Sequence, residues 1–269
     1  MVSFIIEMRK SEMYQRELET AIEAAHIASR RILHVYEQGE VRTKRKTDRS
    51  PVTIADTEAD SLILAHLQQF FPDDGYLSEE TEDDFKRLNK SRVWVIDPLD
   101  GTREFLRRNG DFSVNIALVE NKRPVVGVVA LPVFSETYYA VTGEGAYLQK
   151  DEQDIRLRVS NATENLRMLR SRSRVNMRIS ELFEANERVV SMQKVGSARK
   201  GCMIARGEAE LYYSIGYTME WDTAAMELIV EEAGGIFRQM DHSIMLYNRE
   251  DPLNRLGFYI LNRKENALI

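Results

Sequence analysis

Apolar and polar positions give this chain two textures. From about Ser11 to Tyr36 there is neither Gly nor Pro, and Leu18, Ala21, Ile22, Ala25, Ala28 and Ile32 recur three or four apart. That spacing predicts one long amphipathic helix. A second helix is predicted from near Thr53 to Phe71, stopped by Pro72-Asp73-Asp74-Gly75. Between them lies a basic connector, Arg42 to Arg49, ending at Ser50-Pro51. Strands then take over. Val93-Trp94-Val95-Ile96 reads as a buried strand that ends in a turn at Asp97-Pro98, and Ser113–Val119 and Val125–Ala130 read as neighbours around Asn121-Lys122-Arg123. Thr137–Val141 is a further strand, closed by Gly143-Glu144-Gly145.

The polar stretch Asp151–Thr163 marks an expected boundary between an N-terminal α+β lobe, residues 1–158, and a C-terminal α/β lobe, residues 159–269. The second part is predicted to hold a strand near Leu166–Leu169, helices near Ile179–Asn186 and Ala198–Arg206, and a strand near Glu210–Ser214. Its best-marked element is a helix from Asp222 to Ala233, terminated by Gly234-Gly235. Paired helices followed by a run of strands predict a layered α+β fold.

Composition narrows the function without naming it. The net charge of −6 argues against non-specific nucleic-acid binding. The single Cys202 excludes an internal disulfide framework and suits a reducing compartment. Near the N-terminus, Phe4-Ile5-Ile6 runs straight into Glu7, Arg9 and Lys10, which a secretory leader would not tolerate, so a cytoplasmic location is expected. His26, His34, His66 and His242 form no paired motif, and with one Cys the chain offers no zinc site.

The acidic residues carry the candidate chemistry. Asp56, Glu79, Glu80, Asp97, Asp100 and Asp222 all lie near the ends of predicted elements. Each also has a plain structural reading. Asp97-Pro98-Leu99-Asp100-Gly101 is a good turn, Asp222 an N-cap, Thr53-x-x-Asp56 a capping box, and Glu79-Glu80 an exposed loop pair. Carboxylates gathered in one place titrate upward unless a cation neutralises them, and an all-oxygen set suits magnesium.

At Asp97-Pro98-Leu99-Asp100-Gly101-Thr102 the chain resembles the lithium-sensitive, magnesium-dependent phosphatases of the inositol monophosphatase superfamily. Trp221-Asp222-Thr223-Ala224-Ala225 matches their second motif, Ser78-Glu79-Glu80 their upstream acidic pair, and Val52-Thr53-Ile54-Ala55-Asp56 a fourth. The resemblance implies a layered αβαβα sandwich and two or three Mg2+ per site. It implies that Glu79, Asp97 and the carbonyl of Leu99 hold one ion, and Asp97, Asp100 and Asp222 a second. Asp56 with Thr102 is implied to activate the attacking water, and the N–H groups of Gly101 and Thr102 to hold the phosphate. Partners implied are a small phosphorylated substrate and a possible second copy of the chain.

Within that superfamily the chain is most similar to the bacterial 3'(2'),5'-bisphosphate nucleotidase branch, on Lys46–Thr53, Arg103–Asn115, Ser171-Arg172-Ser173 and Gly196-Ser197 with Lys200. Lys46, Ser171, Ser197 and Lys200 are the substrate-side candidates so implied. One departure stands out. The branch commonly carries Pro-Arg before its second motif, whereas this chain has Tyr213-Ser214, leaving Arg174, Arg199 or the basic connector to supply the missing charge. Inositol monophosphate or a sugar phosphate is the alternative substrate on that ground.

Overall fold

The computed structural model describes residues 13–39, 43–45, 51–173, 181 and 186–269. Two helices come first among the described residues, α1 (Gln15–Glu37) and α2 (Ile54–Phe70), with a small antiparallel ribbon of β1 (Thr43–Arg45) and β2 (Pro51–Thr53) between them. The buried face of α1 is rich in alanine, with Ala21, Ala24, Ala25 and Ala28 fully covered, which lets it lie close to its neighbours.

Seven strands follow as one sheet in the order β3 to β9: β3 (Gly75–Ser78), β4 (Arg92–Asp100), β5 (Ser113–Glu120), β6 (Arg123–Leu131), β7 (Glu136–Val141), β8 (Gly145–Lys150) and β9 (Gln153–Arg156). Only β3 and β4 pair in parallel; every other neighbour is antiparallel. Both faces are covered, so the central strands read as continuous apolar runs rather than alternating ones. Trp94, fully buried on β4, satisfies its indole N–H by donating to Asp74 Oδ2 at 3.0 Å.

A second sheet has the order β11-β10-β12-β16-β14. Its strands are β10 (Leu166–Ser171), β11 (Val189–Val195), β12 (Leu211–Ser214), β14 (Ile236–Gln239) and β16 (Phe258–Leu261). A two-residue ribbon pairs β13 (Thr218–Met219) with β15 (Leu253–Asn254). Three further α-helices lie among the described residues: α3 (Thr102–Leu106), α4 (Arg199–Ala205) and α5 (Glu220–Glu232).

The layers follow from which residues share a core. One cluster joins α1 and α2 to Trp94, Ile96, Val114, Ile116, Val126 and Val128 on one face of the large sheet. Another joins the opposite face to α4, α5 and the second sheet, through Val95, Ala117, Val129, Ala225, Ile229, Tyr212, Phe237 and Phe258. Among the described residues the order is therefore helix, sheet, helix, sheet, and the helix expected at 179–186 falls mostly outside them. The core cluster of α5 runs across the expected lobe boundary near residue 158 without interruption.

The Trp-Asp-x-Ala-Ala segment has a packing reason as well as a chemical one. A Cβ on Gly127 of β6 would sit 2.9 Å from the carbonyl oxygen of Ala225. Gly127 and the paired alanines thus let α5 lie directly on the large sheet, and Asp222 in its first turn is carried against that sheet's strand ends.

Candidate active site

The two motif carboxylates on β4 face the same way because of a bulge. Residues three apart on a regular strand point to opposite faces. Here Asp97 pairs with Asn115 and Asp100 with Ser113, so one extra residue is accommodated between them and the alternation is reset. Pro98 lies in this bulge, where a missing N–H costs no ladder bond. The sequence predicts a turn that ends the strand at Asp97-Pro98; the structure instead continues β4 to Asp100. Gly101 then turns the chain at φ +95°, with Asp111's carbonyl oxygen 3.0 Å from where a Cβ would be.

The parallel pairing of β3 with β4 brings Glu79 alongside. Ser78 is in register with Ile96, and the Glu79 N–H donates to the Ile96 carbonyl at 3.2 Å, one residue from Asp97. Asp222 enters from α5. It is the third residue of that helix rather than its cap, and its Oδ2 accepts from the Met219 N–H at 2.6 Å. One oxygen from each of Asp97, Asp100 and Asp222 lies within 4.8 Å of the others.

Asp56 serves two ends at once. Its Oδ2 accepts from the Thr53 N–H at 2.8 Å and the Thr53 hydroxyl at 2.6 Å, completing a capping box at the start of α2. Its Oδ1 accepts from the Thr102 hydroxyl at 2.9 Å. The capping role and a role at the site are therefore compatible, because they use different oxygens.

Electrostatics mark the cluster as unbalanced. Burial, then the charges of Glu79, Asp100 and Asp222, push Asp97 well above the usual carboxylate range. Its Oδ1 accepts from the Leu99 N–H at 3.0 Å, while its Oδ2 is buried without a hydrogen-bond partner. Burial also raises Asp100, against the pull of the Lys200 ammonium. Asp56 is raised by burial and drawn back by its Thr53 and Thr102 hydrogen bonds. Three converging carboxylates, one with an orphaned oxygen, and no imidazole or thiolate among the residues lining the cavity, fit a hard divalent cation.

A cavity of about 300 Å³ opens onto this cluster. Its lining includes Glu79, Asp97, Leu99, Asp100 and Asp222 together with Gly101, Thr102, Ser171, Ser197 and Lys200. All the sequence-predicted site residues in the described part of the chain therefore meet here, with Asp56 directly behind Thr102. Lys46 lies outside the described residues. Lys200 is buried, donates to the Ser197 carbonyl at 2.5 Å, and sits 5.2 Å from the Tyr212 ring centroid.

Two acidic residues that sequence reasoning passed over join the sheets at the cavity's edge. Asp111, 1% exposed, accepts from Arg172 Nε at 2.7 Å, from Arg199, and from the Gly196 N–H at 3.1 Å. Glu104 on α3 accepts from the Ser173 hydroxyl, which in turn accepts from Arg107 at 2.8 Å. Arg199 is thereby committed to Asp111 and also stacks over Phe134. Of the arginines expected to replace the missing one, it is held elsewhere, and Arg174 lies outside the described residues.

Residues 13–267 match the profile of the inositol monophosphatase family, and the chain belongs to that family. Membership places it among metal-dependent phosphoric monoester hydrolases. More particularly, the 3'(2'),5'-bisphosphate nucleotidase CysQ of Salmonella typhimurium strain LT2 is 37% identical over 248 residues, covering 90% of this chain and 98% of that one. The corresponding protein of Escherichia coli K12 is 34% identical over the same shares. Among solved structures, CysQ from Bacteroides thetaiotaomicron superposes with a TM-score of 0.80 at 36% identity, covering 94% of this chain and 99% of the other. Among the described residues no helix is long and apolar enough to cross a membrane.

Proposed function

We propose that this chain removes the 3'-phosphate of adenosine 3',5'-bisphosphate, giving AMP and phosphate, in a magnesium-dependent reaction. The observation that carries the reading is the convergence of Asp97, Asp100 and Asp222 in one cavity with the Thr102–Asp56 pair. The similarity to bisphosphate nucleotidases over nine-tenths of the chain supports the choice of substrate.

Glu79, Asp97 and the Leu99 carbonyl would hold one ion, and Asp97, Asp100 and Asp222 a second. When bound, such ions neutralise charge on the transferring phosphate and leaving oxygen and lower the proton affinity of a water. The chain's own residues do the rest. The Thr102 hydroxyl donates to Asp56 Oδ1 and so turns its lone pairs toward the cavity to orient the water. Asp56 Oδ2 is occupied by Thr53, so the proton leaves through Oδ1. The N–H groups of Gly101, the N-cap of α3, and of Thr102, its first residue, would donate to phosphate oxygens, because the start of a helix leaves such donors without an intrahelical acceptor. Helix α3 is a single short turn, so these donors rather than a macrodipole provide the attraction. Water attacks in line, with no covalent phospho-enzyme.

The second phosphate needs a cation. Arg103 lines the cavity and, among the described residues, no carboxylate pairs with it, unlike Arg172 and Arg199. It is our candidate for the charge absent at Ser214. That absence also favours a second reading, a phosphatase for inositol or sugar monophosphates, because Ser214 lines the same cavity and cannot replace a guanidinium. Phosphate release from adenosine 3',5'-bisphosphate, inositol 1-phosphate and fructose 1,6-bisphosphate, each with and without magnesium, separates the two. Faster release from either of the last two substrates would overturn the first reading.

A further inference from the structure

We propose that Asp60 is a positioning residue for Glu79, clamping the chain on both sides of the Glu79-Glu80 pair. Asp60 lies one helical turn after Asp56 on α2, on the same buried face as Ala59, Ile63 and Leu67. A carboxylate there is costly unless its oxygens are bonded. No Lys or Arg among the described residues pairs with it; its partners are two hydroxyls. Ser78 donates to Oδ1, and Thr81 donates to Oδ2 at 2.7 Å. These two residues bracket Glu79-Glu80 by one position each.

The location explains why a clamp is needed. The pairing of β3 with β4 ends at Ser78, and beyond it the Glu79 N–H makes the last bond to the neighbouring strand, at 3.2 Å. On its other side the segment borders a second cavity of about 520 Å³, lined by Ser78, Glu79, Thr81, Phe85 and Trp221 among others. That side of the segment therefore faces a cavity. Asp60 supplies two fixed points for the segment, and it does so from the helix that carries Asp56. One helix face thus aligns the water-orienting carboxylate and the loop of a metal-holding one.

This inference rests on the reading of Glu79 as a metal ligand, and its test keeps the two separable. Magnesium binding to the EDTA-treated, dialysed full chain is measured calorimetrically, using magnesium chloride alone. Asp60→Ala should weaken magnesium binding about tenfold or more, in the range found for groups that orient metal ligands. The double variant Ser78→Ala/Thr81→Val should do the same while leaving the carboxylate in place, which keeps the test decisive if Asp60→Ala does not fold. Combining all three changes should add little, because they remove one device. Thr81→Ser, which keeps a hydroxyl, should bind as the wild type does. A fall in thermal stability with magnesium affinity within twofold of wild type would overturn the inference alone. A wild-type chain that binds no magnesium would overturn the metal site and the inference together.

Discussion

Replacing Asp97 by Asn should move stability and activity in opposite directions. In the metal-free protein, oxygens of Asp97, Asp100 and Asp222 lie within 4.8 Å of each other. Two full charges at that separation repel by about 3 kcal/mol at an effective dielectric of about 20. Asp97 enters two of the three pairs, so its neutralisation removes most of the repulsion. The wild type recovers part of that energy by taking up a proton, at about 1.4 kcal/mol per pH unit, so roughly 1–3 kcal/mol should remain as a gain. Asn keeps the acceptor for the Leu99 N–H, and its amide hydrogens replace the unpartnered Oδ2 beside two carboxylates.

At about 2–4 °C per kcal/mol for a chain near this size, Asp97→Asn should melt roughly 3–10 °C above wild type in EDTA. Magnesium at about a hundred times its dissociation constant should stabilise the wild type by about 2.7 kcal/mol and leave the variant unmoved. Differential scanning calorimetry at pH 7.5, with and without magnesium, reads both shifts, and phosphate release reads the loss of turnover. A variant that melts below wild type in EDTA, or that keeps the magnesium shift, would refute the view that these carboxylates converge for a cation.

Asp56→Asn and Thr102→Val should each lower kcat by about 10²–10⁴-fold, the range for a general base, with magnesium affinity by calorimetry within about twofold; a loss under tenfold would exclude the Thr102–Asp56 route. Arg103→Ala should cut kcat/KM on adenosine 3',5'-bisphosphate by about 10–100-fold, as expected for a lost charged hydrogen bond, yet spare inositol 1-phosphate, and an equal loss on both would remove its assignment to the second phosphate. Glu227, fully buried on α5 and paired with Arg123 at 2.7 Å, is raised from 4.5 to about 7, chiefly by burial. Its folded form binds the proton more tightly, so stability is full below the unfolded value and is lost as pH rises toward about 7, by about 3 kcal/mol in all. Urea unfolding in EDTA from pH 5 to 8 should show that decline flattened in Glu227→Gln, and identical slopes would place the loss elsewhere.

Locality separates what could be read from the sequence from what could not. Strands β5 and β6 are apolar throughout because both faces are covered, and such runs are visible one residue at a time. Strand β11 escapes notice because it is an edge strand with most of its side chains exposed, so Val189-Val190-Ser191-Met192-Gln193-Lys194-Val195 has no apolar period. The site divides in the same way. Asp97, Asp100 and Asp222 sit in motifs whose turn, bulge or helix start is local, and those positions were legible. Asp111 is satisfied by Arg172 and Arg199, 61 and 88 residues away, and Asp60 by hydroxyls 18 and 21 residues away. Nothing in their neighbours announces those bonds. A carboxylate among Ala59, Ile63 and Leu67 was nonetheless a signal, since an acid on an apolar helix face must find partners across the fold. The residues that touch the chemistry were written in motifs, and those that hold them in place were written only in the packing.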